Sequence, residues 1–192
     1  MEIVFATGNK DKVNQIKLMI DDIVLKTPED YGLDDFEVVE DGDSLKKNSY
    51  KKAKALNDIL DKPTIADDTG LFVRSIDNRP GVKSHRYAGE DASYKDNRDK
   101  LLNELSDKND RYAYFETCIC YIDEEKNTHY FEGRLKGAIT LEEIGEYEFG
   151  YDQIFIPEGL NKTLGEMTKE EINEISHRAK AFNKFKEYIS EN

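Results

Sequence analysis

Cysteine is nearly absent from this chain: Cys118 and Cys120 are the only two. That is too few for a disulfide framework, and a thiolate metal site would need further Cys or His partners at ligand spacing. Two apart in "FETCICYI", they fall on one face of a strand and are expected to be buried thiols. Positive charge is scarce as well. The chain has 28 Lys and Arg against 41 Asp and Glu, a net charge of −13, which excludes broad contact with a nucleic-acid polymer or an anionic membrane. An anionic small molecule remains compatible, because a local lysine cluster or a divalent cation inverts the field at one site. No run of about 18 apolar residues occurs, and "MEIVFATGNK" lacks a basic segment followed by a long apolar one. A soluble, cytoplasmic protein is expected. Internal repeats, low-complexity segments and linkers are also missing, so residues 1–192 are expected to form a single domain.

What is present alternates strand-like and helix-like patterns, which implies an α/β fold with a mixed sheet. Ile3–Ala6 reads as a buried strand that turns through "TGN" into a helix with apolar positions Val13, Ile16, Leu18 and Ile20. From Asp43 to about Leu60, Leu45, Ala53, Leu56 and Leu60 share one helical face, with Asn48, Lys52 and Ile59 along its edge. Strands are expected at Thr64–Ala66 and Leu71–Ile76, then the loop "DNRPGVKSHRYAGED" and a helix carrying Tyr94, Leu101, Leu102 and Leu105. "RYAYFETCICYI" and "THYFEGRLKGAI", separated by "DEEKN", read as a long hairpin, and "FGYDQIFIP" ends in a short strand. Thr168 and Glu171 have capping-box spacing and open a helix through Ile172, Ile175, Ala179, Phe182, Phe185 and Ile189, with a break near Ser176.

Three places can carry chemistry. "TIADDTGLFV" sets two adjacent carboxylates, Asp67 and Asp68, inside an apolar run, although burying either costs several kcal/mol without compensation. A hard divalent cation with oxygen ligands, or a water that needs a base, accounts for them; a turn in which Asp67 caps backbone N–H groups is the alternative. Among the nearby acids, Glu37, Glu40, Asp41 or Asp43 can complete such a metal site, or simply be solvated. "ATGNKDK" offers a hydroxyl, an amide and Lys12 at a helix N-terminus, suited to phosphates, or else forms an ordinary strand-to-helix turn. Phe149, Tyr151 and Asp152 in "FGYD", with Ser176, His177 and Arg178 in "ISHR", supply stacking, polar and cationic groups for a base; the alternatives are core aromatics and a surface pair.

Taken in order, "ATGNKDK", "IADDTGLFV", "PGVKSHRYAGE", "FGYDQIFIPEG" and "LGEMTKEEINEISHRAKAF" span nearly the whole chain. Together they resemble the inosine triphosphate pyrophosphatase family, which hydrolyses deaminated purine nucleoside triphosphates (ITP, dITP, XTP) to monophosphate and pyrophosphate. The resemblance implies an elongated two-lobed α/β fold with a long mixed sheet flanked by helices, a central substrate cleft, a cytoplasmic homodimer and dependence on Mg2+. It makes Thr7, Gly8, Asn9, Lys10, Asp11 and Lys12 the triphosphate-binding turn, with Lys52 and Asn48 beside the phosphates. Asp68 resembles the general base and a metal ligand, Asp67 its support, Thr69 a substrate contact, and Glu40 or Glu37 the second metal ligand. Phe149 resembles the base-stacking ring, with Gly150, Tyr151 and Asp152 lining the nucleoside and Ser176, His177 and Arg178 reading the base edge.

One position departs from the pattern. After the paired glutamates the family usually has a lysine, where this chain has Ile172; Lys169 lies one turn earlier. Loss of one charge-assisted hydrogen bond costs about 1.5–3 kcal/mol, which re-tunes an enzyme without abolishing it. Two alternatives follow: a related pyrophosphatase acting on pyrimidine or modified nucleotides, and a nucleotide-binding protein with reduced turnover.

Overall fold

The computed structural model describes residues 1–17 and 23–191. Leu18 and Ile20, expected on the first helix, lie outside the described residues. In chain order the described elements are β1 (Glu2–Phe5), α1 (Lys10–Lys17), β2 (Val24–Lys26), α2 (Leu45–Leu60), β3 (Thr64–Val73), β4 (Arg79–Gly81), α3 (Tyr94–Glu104), β5 (Tyr112–Ile122), β6 (Thr128–Ile139), β7 (Phe155–Pro157), α4 (Lys169–Ile175) and α5 (His177–Glu191). The sheet order is β2-β1-β3-β5-β6-β7, with β4 on β3. It is mixed, as expected: β1 runs parallel to β2 and β3, whereas β4 on β3 and β7 on β6 are antiparallel.

Two compact units share the chain. The first comprises Met1–Asp68, Thr117–Gly133 and Arg178–Asn192, the second Thr69–Glu116 and Arg134–His177. In the first unit the period-two rule of strands sorts the core residues of the sheet onto its two faces. Ile3, Phe5, Ile65, Ile119 and Tyr121 pack with Val13 and Ile16 of α1 and Phe182 and Phe185 of α5. Their sequence neighbours Val4, Ala6, Ala66, Cys120 and Ile122 pack with Ala53 and Leu56 of α2. The thiols of Cys118 and Cys120 are buried, and burial pushes them up to about 11 and about 12. In the second unit Leu71, Val73, Leu101, Leu105, Phe115, Phe155 and Ile172 form the core.

The expected break in the "TIADDTGLFV" strand does not occur. β3 runs unbroken for 10 residues, and Arg74–Ile76, expected to be strand, forms a 3-10 turn instead. Gly70 is needed there, since a Cβ would come within 2.6 Å of the Gly81 carbonyl oxygen on β4. The expected loop after β3 contains β4 and a 3-10 turn at Ser84–Arg86. The three-residue β2 and the 3-10 turn Pro28–Tyr31 carry too few apolar repeats to read as elements. Ser176 separates α4 from α5, with its N–H still bonded to the Ile172 carbonyl at 2.8 Å.

Candidate active site

An unbroken β3 changes the meaning of its two carboxylates. Successive side chains point to opposite faces, so Asp67 shares the face of Ile65, towards α1 and α5, and Asp68 shares that of Ala66, towards α2. Asp67 meets Lys12 Nζ of α1 at 3.0 Å and Arg178 Nε of α5 at 3.4 Å, with its side chain 1% exposed. Burial works to raise its pKa, but Lys12, Arg178 and Lys52 outweigh it and hold the carboxyl well below the usual carboxylate range. Asp68 lies 3.8 Å from Lys52 Nζ of α2, and the same ammonium is 3.1 Å from Glu40. Burial pushes the Asp68 carboxyl up to about 7, helped by Glu40 and Asp67 and opposed by Lys52 and Lys12.

The two lysines respond differently for the same reason. Lys12 is pulled below its ordinary range by burial, with one close carboxylate and two cations as neighbours. Burial acts on Lys52 too, yet Asp68, Glu40 and Asp67 outweigh it and raise it. The cluster therefore sets Asp67, Asp68 and Glu40 against Lys12, Lys52 and Arg178.

Local turns place these groups. Asn9 caps α1, its Oδ1 accepting from the N–H of Asp11 at 3.0 Å and of Lys12 at 3.2 Å, while the Thr7 hydroxyl accepts from Asn9 N–H. Lys10 and Asp11 are exposed, and a Cβ on Gly8 would meet nothing within 4 Å. Ser44 caps α2, and Asn48 on its first turn accepts from Gly42 N–H at 2.8 Å, tying the "EDG" segment that carries Glu40 to the helix. Among the described residues the buried Asn48 Nδ2 donor has no partner; it lies one turn from Lys52, on the same helical face. Glu37 is exposed, so of the two expected second ligands Glu40 is the one drawn towards Asp68 through Lys52. Asp41 and Asp43 pair with Lys51 and Lys47 instead.

In the second unit Phe149 is half-buried, with Tyr94 edge-on at 5.5 Å and Tyr147 stacked at 6.3 Å. Gly150 follows with φ 54, Asp152 N–H bonds back to the Phe149 carbonyl, and the Tyr151 hydroxyl donates to the Ser84 carbonyl at 2.6 Å. The "SHR" row is buried throughout, which excludes the surface-pair alternative: Ser176 is 2%, His177 7% and Arg178 3% exposed. Its members part company, His177 stacking on Phe115 at 4.8 Å in the second unit and Arg178 joining Asp67 in the first. Thr69, the next residue along β3 from Asp68, opens the second unit. Ile172 is 5% exposed within the core cluster, as its apolar stripe implies, and Lys169 is exposed.

Sequence reasoning missed Arg98. It is 2% exposed, bonds Glu143 at 2.7 Å and donates to the Gly150 carbonyl at 2.9 Å. A signal was available: Tyr94, Arg98, Leu101 and Leu105 recur at helical spacing, so a cation sits on the apolar stripe of α3.

Among the described residues no group of three or more His, Cys, Asp or Glu stands ready for a metal ion. The donor set of Glu40 and Asp68 nevertheless suits magnesium, which takes one or two carboxylates and fills its remaining positions with water and substrate phosphate. A profile of the Ham1 family matches residues 3–188. A protein of Thermoanaerobacter sp. (strain X514) named dITP/XTP pyrophosphatase is 42% identical over 193 residues, covering 98% of this chain and 96% of its own. The solved structure of the Staphylococcus aureus Ham1 protein matches with a TM-score of 0.91 and 37% identity, over 99% of this chain and 98% of that one. A HAM1 protein from Coxiella burnetii matches at 0.92 and 30% identity, over 100% of both chains.

Proposed function

The chain belongs to the Ham1 family, and on that premise we propose that it hydrolyses deaminated purine nucleoside triphosphates, ITP, dITP and XTP, to the monophosphate and pyrophosphate. The observation that carries this reading is the split of Asp67 from Asp68: one carboxylate neutralised by Lys12 and Arg178, the other beside Glu40 and Lys52 with its pKa near neutrality. Asp68 takes the proton of the attacking water on a carboxylate oxygen. Lys12, Lys52 and the Asn48 Nδ2 donor bind the phosphate oxygens and steady their charge. Asp67 fixes Lys12 by direct contact and holds Arg178 on α5.

Three carboxylates against three cations leave little surplus positive charge for a triphosphate, which favours an added divalent cation. Magnesium held by Glu40 and Asp68 would supply Lewis-acid charge to the phosphates there. Phe149 stacks on the base, and Gly150, Tyr151, Asp152 and Thr69 line the nucleoside. Ser176, His177 and Arg178 read the edge by requiring an acceptor at the purine six-position; an exocyclic amine there would leave donors unpaired. Ile172 packs in the core of the second unit, and a nucleotide-binding protein with reduced turnover stays the alternative, distinguished by tight ITP binding without pyrophosphate release. We extend the reading to a cytoplasmic homodimer acting on the free nucleotide: the acidic composition supports the preference for a small molecule over a polymer, and the dimer rests on the family resemblance.

Pyrophosphate release from ITP, dITP, XTP, ATP, GTP, dTTP and UTP with magnesium tests the assignment. Preference for the first three is expected; equal rates on ATP and GTP would reject it, and preference for dTTP or UTP would favour the pyrimidine alternative.

A further inference from the structure

Arg98 is a buried cation that no step above uses. Its Nε donates to Glu143 Oε1 at 2.7 Å, and its Nη1 donates to the carbonyl oxygen of Gly150 at 2.9 Å. Burying a guanidinium is unfavourable unless charge and hydrogen bonds compensate, so its two partners fix where it sits. Gly150 is held in the left-handed region at φ 54, and a Cβ on it would meet nothing within 4 Å, so glycine is required there by conformation rather than space. Phe149 immediately precedes Gly150, and Tyr94, one turn before Arg98 on α3, meets the Phe149 ring edge-on. On the far side, the Tyr151 hydroxyl reaches the Ser84 carbonyl, and the Ser84 hydroxyl accepts from Leu71 N–H of β3. The turn is thus gripped on both sides of Gly150, from α3 and from β3.

We propose that Arg98, held by Glu143, is a positioning residue that sets the Phe149–Gly150 turn, and through it the plane of the base-stacking ring. The inference rests on the reading of Phe149 as the ring that stacks on the purine. Arg98 touches no substrate. A rigid ring binds the base with less ordering cost than a mobile one, and this gain is the same in ground and transition states.

Arg98→Lys keeps a charge for Glu143 and loses the fork that reaches Gly150. It is expected to raise KM for ITP about tenfold, to leave kcat within about twofold, and to leave inhibition by inorganic pyrophosphate, which carries no base, unchanged. Equal losses in KM, kcat and pyrophosphate inhibition would overturn the proposal, as would an unaltered KM in the folded variant. Should Arg98→Lys fail to fold, Glu143→Gln, at a partly exposed position, must show a smaller KM rise with the same split, and no rise overturns the proposal. Phe149→Ala separates the two readings. If it leaves KM for ITP unchanged, the stacking assignment fails; if it raises KM while Arg98→Lys does not, only the positioning role fails.

Discussion

At the scale of single residues, Asp67 and Asp68 differ in what compensates their burial, and pH separates them. Asp67 is held below the ordinary 3.8, so its folded form binds a proton more weakly than its unfolded form. Its stabilisation is present above about pH 4 and lost as pH falls through the folded value. Asp68 has the opposite sign: its folded pKa of about 7 makes its contribution present below about pH 4 and lost as pH rises to about 7. In chelator-treated protein, Asp67→Asn is expected to lower the melting point at pH 7, by the equivalent of about 3 kcal/mol, because Lys12 and Arg178 lose their carboxylate. Asp68→Asn is expected to raise it at pH 8. Thermal melts from pH 4 to 8 check both; like-signed shifts for the two variants at pH 8 would show that the pair acts as one unit. The residue types of this cluster were legible in the sequence, but their pairing was not. "ADDTG" names two acids without saying that strand geometry sends them to opposite helices, and Arg178 lies 111 positions from the carboxylate it holds.

At the scale of elements, periodicity read the long pieces and missed the short ones. α2, α3, the β5–β6 hairpin, and the α4–α5 break at Ser176 follow from apolar spacing and capping residues. β2 and β4, three residues each, carry no period, and polar Asp67–Thr69 look like a turn within β3 until Lys12, Arg178 and Lys52 are counted. β3 also depends on its close approach to β4. Gly70→Ala would force a Cβ against the Gly81 carbonyl oxygen, and is expected to destabilise by about 1–3 kcal/mol, whereas Gly8→Ala, with nothing near its Cβ, should leave the melting point within about 1 kcal/mol. Chemical denaturation of the two variants measures the contrast, and equal midpoints would contradict the strand contact.

At the scale of the whole molecule, a net charge of −13 confines the affinity for anions to a few local cations. The protein is expected to show no binding to duplex DNA by fluorescence anisotropy even near 50 mM salt, where a basic face would be strongest; a salt-dependent isotherm would contradict a free-nucleotide enzyme. The acidic composition was readable at once, whereas the division into two units inside β3, β5, β6 and α5 has no mark in composition, since no linker falls at Asp68, Glu116, Gly133 or His177. The most direct measurement of the central claim is pyrophosphate release from saturating ITP with magnesium by Asp68→Asn, with its fold verified by circular dichroism. A fall of about 10²–10⁴ in kcat is predicted from loss of a positioned base, and a kcat within about twofold of the parent would contradict the role given to Asp68.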